Sequence, residues 1–193
     1  MTGFDDVVRF HGHACPGLAL GYRVSDLALR ELSGRAEDEE MVAVVENNSC
    51  AVDALQAMTG CTFGKGNLFF KDYGKQVYTL IKRPSGDALR ISVIWVSPPE
   101  SDEEIKAWRR FSDGDRSEEV LKIVHSRKAG KIKAIMDADD EELFAISRLR
   151  IEPPREARIY PSIRCAVCGE KVMEPRARVK DGKIVCIPCA EGE

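Results

Sequence analysis

Apolar and polar positions recur along the chain with two periods, one helical and one of two. Across residues 17–32, Leu20, Val24, Leu27 and Ala28 fall at helical spacing, which predicts an amphipathic helix closed by Ser33 and Gly34. Gly17 and Gly21, four apart, leave one side of it open to the close approach of another backbone. Residues 41–45 are short, apolar and β-branched, the pattern of a buried strand, and they lead into Glu46-Asn47-Asn48-Ser49-Cys50. Asn48 or Ser49 is placed to cap a second helix from about Cys50 to Thr59, with Gly60 as its left-handed stop. Residues 68–72, 76–83 and 89–96 predict three successive strands. Their connections, Tyr73-Gly74-Lys75 and Pro84-Ser85-Gly86-Asp87, carry hairpin chemistry and so predict an antiparallel meander.

Further on, Ser101 and Glu104 form a capping box. It opens a helix through Trp108 and Phe111 that breaks at Asp113-Gly114 and resumes over residues 117–128. Phe144, Ile146, Leu149 and Ile151, interleaved with Ser147, Arg148 and Arg150, predict a strand with one slip. Pro153-Pro154 cannot continue a ladder, and divides residues 1–154 from a smaller module, 155–193.

Candidate chemistry concentrates at the two ends of this pattern. Two of the three histidines lie in Phe10-His11-Gly12-His13-Ala14-Cys15-Pro16-Gly17. If extended, this stretch places His11, His13 and Cys15 on one face, a candidate metal or catalytic centre. Pro16 predicts a helix start with Cys15 at the cap, where unpaired N–H groups favour a thiolate. Cys50 sits at a second helix start, just past a strand. The loop Gly60-Cys61-Thr62-Phe63-Gly64-Lys65-Gly66 superficially resembles a phosphate loop, but its glycines have the wrong spacing and a strand follows, so nucleotide binding is not expected. His125 has no ligand-type neighbour at helical spacing and reads as an ordinary surface or core residue.

Cys165-x2-Cys168 and Cys186-x2-Cys189, separated by seventeen residues, have the spacing of two knuckles that together complete a tetrahedral zinc site. A redox C-x-x-C pair would need a βαβ context that this segment lacks. Four thiolates leave no open position, so this zinc is structural and supplies much of the module's folding free energy. The module holds eight basic and six acidic residues, and a tetrathiolate zinc would cancel that excess. The whole chain, 193 residues with a formal charge of −3, likewise gives no electrostatic footprint for nucleic acid. The finger is expected to dock a protein or to dimerise. Seven cysteines without a visible export signal point to thiols and metal sites in a cytoplasmic protein, and the longest apolar run, residues 91–96, is too short to span a membrane.

Phe10-His11-Gly12-His13-Ala14-Cys15-Pro16-Gly17-Leu18, Gly21-Tyr22-Arg23, Cys50 with Asp53-Ala54, Thr59-Gly60-Cys61-Thr62, Gly64-Lys65-Gly66-Asn67 and Asp72-Tyr73-Gly74-Lys75 together resemble the FmdE family, named from formylmethanofuran dehydrogenase operons. The resemblance implies an α+β core, a mixed or antiparallel sheet packed with helices, to which the cysteine module adds a zinc-ribbon or treble-clef-like finger. It also implies an intertwined homodimer and a metal held by the opening motif with Cys50 nearby. On this basis His13, Cys15 and Cys50 are the expected ligands of zinc or another transition metal. His11 is then a fourth ligand or proton carrier, Asp53 an orienting group, Cys61 a further thiol and Lys65 an attractor of anions. The chain lacks the clustered cysteines of an iron–sulfur redox protein. An accessory or metal-site protein is therefore expected, with a metal sensor or delivery protein as the alternative.

Overall fold

A computed structural model of the chain describes residues 3–32 and 34–192. Ser33, expected to help close a helix, lies outside the described residues. The chain forms two compact units, Met1–Glu156 and Ala157–Glu193.

The first unit is a five-stranded mixed sheet with helices packed on it. Strands β1 (Met41–Val45), β2 (Leu68–Phe70), β3 (Val77–Lys82), β4 (Asp87–Val93) and β5 (Phe144–Arg150) lie in the order β2-β1-β3-β4-β5. The expected meander is corrected at its first strand. β2 pairs parallel to β1, with Val44 opposite Phe69, because α3 (Ala51–Thr59) carries the chain from the exit of β1 back to its start. The antiparallel run is β1-β3-β4-β5. Strand β5 pairs with β4 without a slip. Phe144 and Ile146 join the helix-facing core, whereas Leu149 lies opposite Ala88 on the other sheet face, so its apolar residues belong to two faces.

Two further helices cover the sheet with α3. Helix α2 (Pro16–Leu32) has Val24, Leu27 and Ala28 in the main core, against Ala43, Val45, Leu80 and Leu89. Helix α4 (Asp102–Ser112) starts at the Ser101/Glu104 capping box, as its spacing predicts. Helix α5 (Glu118–Asp137) runs nine residues beyond the expected end, and α4 packs on it through Ala107, Val120 and Val124. Gly130 weakens a helix interior, yet Ile132, Ile135 and Met136 extend the apolar stripe into the main core. Arg23 then donates to the carbonyls of Ile135 (2.7 Å) and Met136 (3.0 Å), which satisfies the end of α5. The short helix α6 (Asp140–Leu143) leads into β5. Among the described residues no helix is long and apolar enough to cross a membrane.

Helix α1 (Phe4–His11) was not expected. Phe4, Val7, Val8 and His11 share one helical face, Val7 is fully buried, and Gly12 ends the helix in the left-handed conformation at φ 95°. A small cluster of Val7, Leu18, Ala54 and Met58, with Phe4, Val8 and Tyr22 around it, joins α1, α2 and α3.

The packing of α2 on α3 has almost no slack. A Cβ on Gly21 would lie 2.3 Å from the carbonyl oxygen and 2.5 Å from the Cα of Ala51, and one on Gly17 would touch the Cβ of Cys50 at 3.4 Å. Backbone cannot yield as a side-chain tip can. Gly21→Ala is expected to lower stability by about 1–3 kcal/mol or more through overpacking. Gly130→Ala, where a Cβ meets nothing within 4 Å, should instead raise stability by about 0.5–1 kcal/mol. Denaturant midpoints of the two variants test this; equal or reversed shifts would contradict the crossing described.

Candidate metal centre

Three chain segments converge where α1 ends and where α2 and α3 begin. His11 is the last residue of α1, and its side chain is mostly shielded. Cys15 precedes Pro16, the first residue of α2, and its thiol accepts the Leu18 N–H at 3.4 Å as a cap. Cys50 is the N-cap of α3. The turn that delivers it is fixed by buried Asn47, whose Oδ1 accepts from the Ser49 N–H (3.1 Å) and hydroxyl (2.7 Å) and whose Nδ2 donates to the Lys75 carbonyl (2.7 Å). The helix is thus capped at Cys50, one residue later than Ser49 and two later than Asn48 would place it.

One ligand atom each from His11, Cys15 and Cys50 lie within 4.8 Å of one another. Nδ1 of His11 is 2.7 Å from Oδ2 of Asp53, which lies in the first turn of α3. An ionised carboxylate only accepts, so Nδ1 is the donor of this pair, which leaves Nε2, 4.0 Å from the Cys15 sulfur, as the ring nitrogen on the thiol side. Burial, and then the neighbouring Cys15 thiol, push the Cys50 thiol up from its ordinary pKa. Two adjacent thiols resist double ionisation unless a cation takes the place of their protons.

The structure selects among the residues expected in this region. His11 joins Cys15 and Cys50, while His13 lies outside that trio, exposed, with its ring centroid 4.6 Å from that of His11. The period-two reading of residues 11–15 fails because His11 ends a helix and Gly12 reverses the chain after it. The signal that was available is the Phe4, Val7, Val8, His11 spacing followed by Gly12. Lys65 and Cys61 are at the other end of α3, about 13 Å of helix away from Cys50. The Lys65 ammonium donates to the carbonyls of Glu37 and Asp38, and the fully buried Cys61 thiol donates to the carbonyl of Met41. Burial pushes Cys61 up to about 11, and its complete burial also denies reagents access to the thiol. His125 is exposed on α5.

The second unit is built from the hairpins β6 (Ser162–Arg164) with β7 (Lys171–Met173) and β8 (Arg178–Lys180) with β9 (Lys183–Val185), followed by α7 (Ile187–Glu191). Cys165 and Cys168 come from the first hairpin, Cys186 caps α7 and Cys189 lies inside it, so the second pair is presented by a helix start as in a treble clef. Their four sulfurs lie within 4.8 Å of one another. The core of this unit consists largely of its ligands: Cys165, Val185 and Cys186 are buried, with Val172, Cys189 and Ala190 against them. Backbone N–H groups, first that of Cys168, lower the Cys165 thiol to about 6, whereas Cys186 and then desolvation raise Cys189 to about 12. Four thiolates cannot coexist without a cation, and this donor set suits structural zinc.

Comparison with known proteins agrees with both units. Residues 10–145 match the family model described as FmdE, molybdenum formylmethanofuran dehydrogenase operon, and residues 158–193 match the prokaryotic DksA/TraR C4-type zinc finger. An Archaeoglobus fulgidus protein named probable S-adenosyl-L-methionine-binding protein is 32% identical over 201 residues, covering 94% of this chain and 50% of that protein. The chain thus spans about half the length of that relative. The crystal structure of an FmdE-like protein of the tungsten formylmethanofuran dehydrogenase type from Syntrophus aciditrophicus has the same fold, with a TM-score of 0.63 at 22% identity over 98% of this chain and 90% of that one. Since the FmdE model covers well over half of the chain, including strands β1 to β4, helices α2 to α6 and all three residues of the converging trio, the chain belongs to the FmdE family.

Proposed function

We propose that the first unit is a metal-site protein in which Nε2 of His11 and the thiolates of Cys15 and Cys50 hold zinc or another borderline transition metal, with one coordination position open. The observation that carries this reading is the convergence of one imidazole and two thiols from three chain segments within 4.8 Å. The donors fit the group: Asp53 fixes the tautomer of His11, as carboxylates commonly do behind metal-bound imidazoles. When bound, such a metal supplies Lewis acidity at its open position. His13, exposed beside the His11 ring, is the side chain placed to exchange protons with solvent there. The accompanying role is accessory to the formylmethanofuran dehydrogenase system named in the family description, with the zinc finger as the docking or dimerisation element. A three-donor, partly exposed site also supports a metal sensor or metal-delivery protein, in which the ion exchanges and nothing turns over. Coordination number and metal off-rate separate the two readings.

The reading extends to a homodimer. Exposed Phe10, Phe63, Phe70 and Tyr73 are apolar surface on the first unit that a second copy would cover. Mass by light scattering tests it, and a monomer at all concentrations would refute it. The ligand in the Archaeoglobus relative's name is to be titrated against the metal-loaded chain: saturable binding supports it for this half, and no heat leaves it to the rest of that protein.

Metal analysis tests the core site. The wild type should carry about two metals per chain, and His11→Ala, Cys15→Ser, Cys50→Ser and Cys168→Ser about one each, while His13→Ala retains both. Full core occupancy in both Cys15→Ser and Cys50→Ser would end the proposal. Asp53→Asn should keep the metal with roughly 10–100-fold weaker affinity.

The finger has its own signature. Chelation should abolish amide protection across residues 157–193, because the ligands are most of their core. Zinc uptake near neutral pH must displace protons from Cys168 and Cys189, both raised, so affinity should rise with pH. Calorimetry in buffers of different ionisation enthalpy reads that release, and a buffer-independent heat would contradict it.

A further inference from the structure

We propose that Cys15 and Cys50 are also a redox couple: without metal they close to an intramolecular disulfide, so the centre alternates between a metal-loaded dithiolate and a metal-free disulfide. The inference rests on the metal reading for its second state only, since the thiols are adjacent whatever binds them.

The geometry favours closure. Among the described cysteines outside the finger, Cys15 and Cys50 are the pair brought together, their sulfurs within 4.8 Å. A disulfide needs sulfurs at about 2.05 Å and Cβ atoms about 3.5–4.5 Å apart. The Gly17 and Gly21 contacts already hold the first two turns of α2 against the start of α3, and Cys50 Cβ is 3.4 Å from where a Cβ on Gly17 would stand. Closure at these helix starts would draw the two sulfurs from within 4.8 Å of each other to bonding distance. The two thiols differ in access, Cys15 being buried and Cys50 partly exposed. Cys61, fully buried at the far end of α3, has neither access nor a partner thiol nearby.

That difference in access orders the steps. A hydroperoxide oxidises the Cys50 thiol to a sulfenic acid, its O–O bond breaking and the alcohol leaving. The Cys15 sulfur then attacks the Cys50 sulfur, the S–O bond breaks, and the released hydroxide takes the Cys15 proton as water. Two electrons pass from the thiols to the peroxide. Two of the three metal donors are consumed, and His11 with Asp53 cannot hold the ion alone. A dithiol reductant reverses the change.

The test uses the full chain. A mild chelator empties the open three-donor centre before the closed four-thiolate finger, after which a slight excess of hydroperoxide is added. Free thiols are alkylated and the peptides mapped. The expected product is a link within one chain between the peptide of residues 10–23, with Cys15, and that of residues 36–65, with Cys50 and Cys61. The link should survive in Cys61→Ala and vanish in Cys50→Ser. In Cys15→Ser the sulfenic acid should persist on Cys50 and be trapped by dimedone. Core metal uptake by the oxidised protein should fall at least tenfold and recover on reduction. Free thiols at both positions after oxidation, over-oxidation of Cys50 without a link, or a link between two chains would each overturn the proposal. If the link forms but the reduced protein takes up no core metal, the metal reading fails and the redox couple stands.

Discussion

At Gly21 the backbone of α2 rests on that of Ala51 with no room for a methyl group, and the centre depends on this contact. Helices usually pack about 8–10 Å apart, a distance set by the side chains between their axes. Glycine at the crossing removes one side of that spacer. Because the crossing lies within two turns of both helix starts, it brings Cys15 and Cys50 together along with the backbones. Helix α1, held by Val7 against Leu18, Ala54 and Met58, then supplies His11 from a third direction. Shielding, tautomer and proximity at the site follow from how closely these helices approach.

The two cysteine clusters differ in what metal does for the fold around them. In the finger, the ligands form most of the buried core, so the ion replaces a hydrophobic interior that so short a segment cannot build. The first unit has a core of its own, from Val24 and Leu27 through Leu80 and Leu89 to Ile135 and Phe144. Its trio sits at the rim of that core, so the fold does not need a metal there. A site relieved of holding the fold is free to take the open, exchangeable role proposed for it. The closed four-thiolate cluster is not.

Much of this architecture was legible along the chain. The β-branched run of β1, the Pro16 start of α2, the Gly60 stop of α3 and the Ser101/Glu104 box are local signals, and the structure follows them because each is satisfied within one turn or one strand. The misreadings share a cause. β2 looks like the first strand of a meander, yet its pairing depends on where α3 returns the chain. The end of α5 depends on Arg23, more than a hundred residues earlier, reaching its last carbonyls. Leu149 and Phe144 read as a slip because a sequence does not say which sheet face has a second cover.

By itself the sequence determined the chemistry available: two cysteines at helix starts, an imidazole-rich entry to the first of them, and a four-cysteine module whose spacing leaves little freedom for anything except a tetrahedral site. Only the tertiary structure decided which groups meet. Lys65 and Cys61, close to Cys50 in sequence, are separated from it by the length of a helix and spent on the carbonyls of residues 37, 38 and 41. His11 displaces His13 because a helix, rather than an extended strand, runs into Gly12. Residue type and local spacing are properties of a few neighbouring bonds. The convergence of three donors is set by backbone contacts between segments far apart in the chain, and local periodicity carries no record of those.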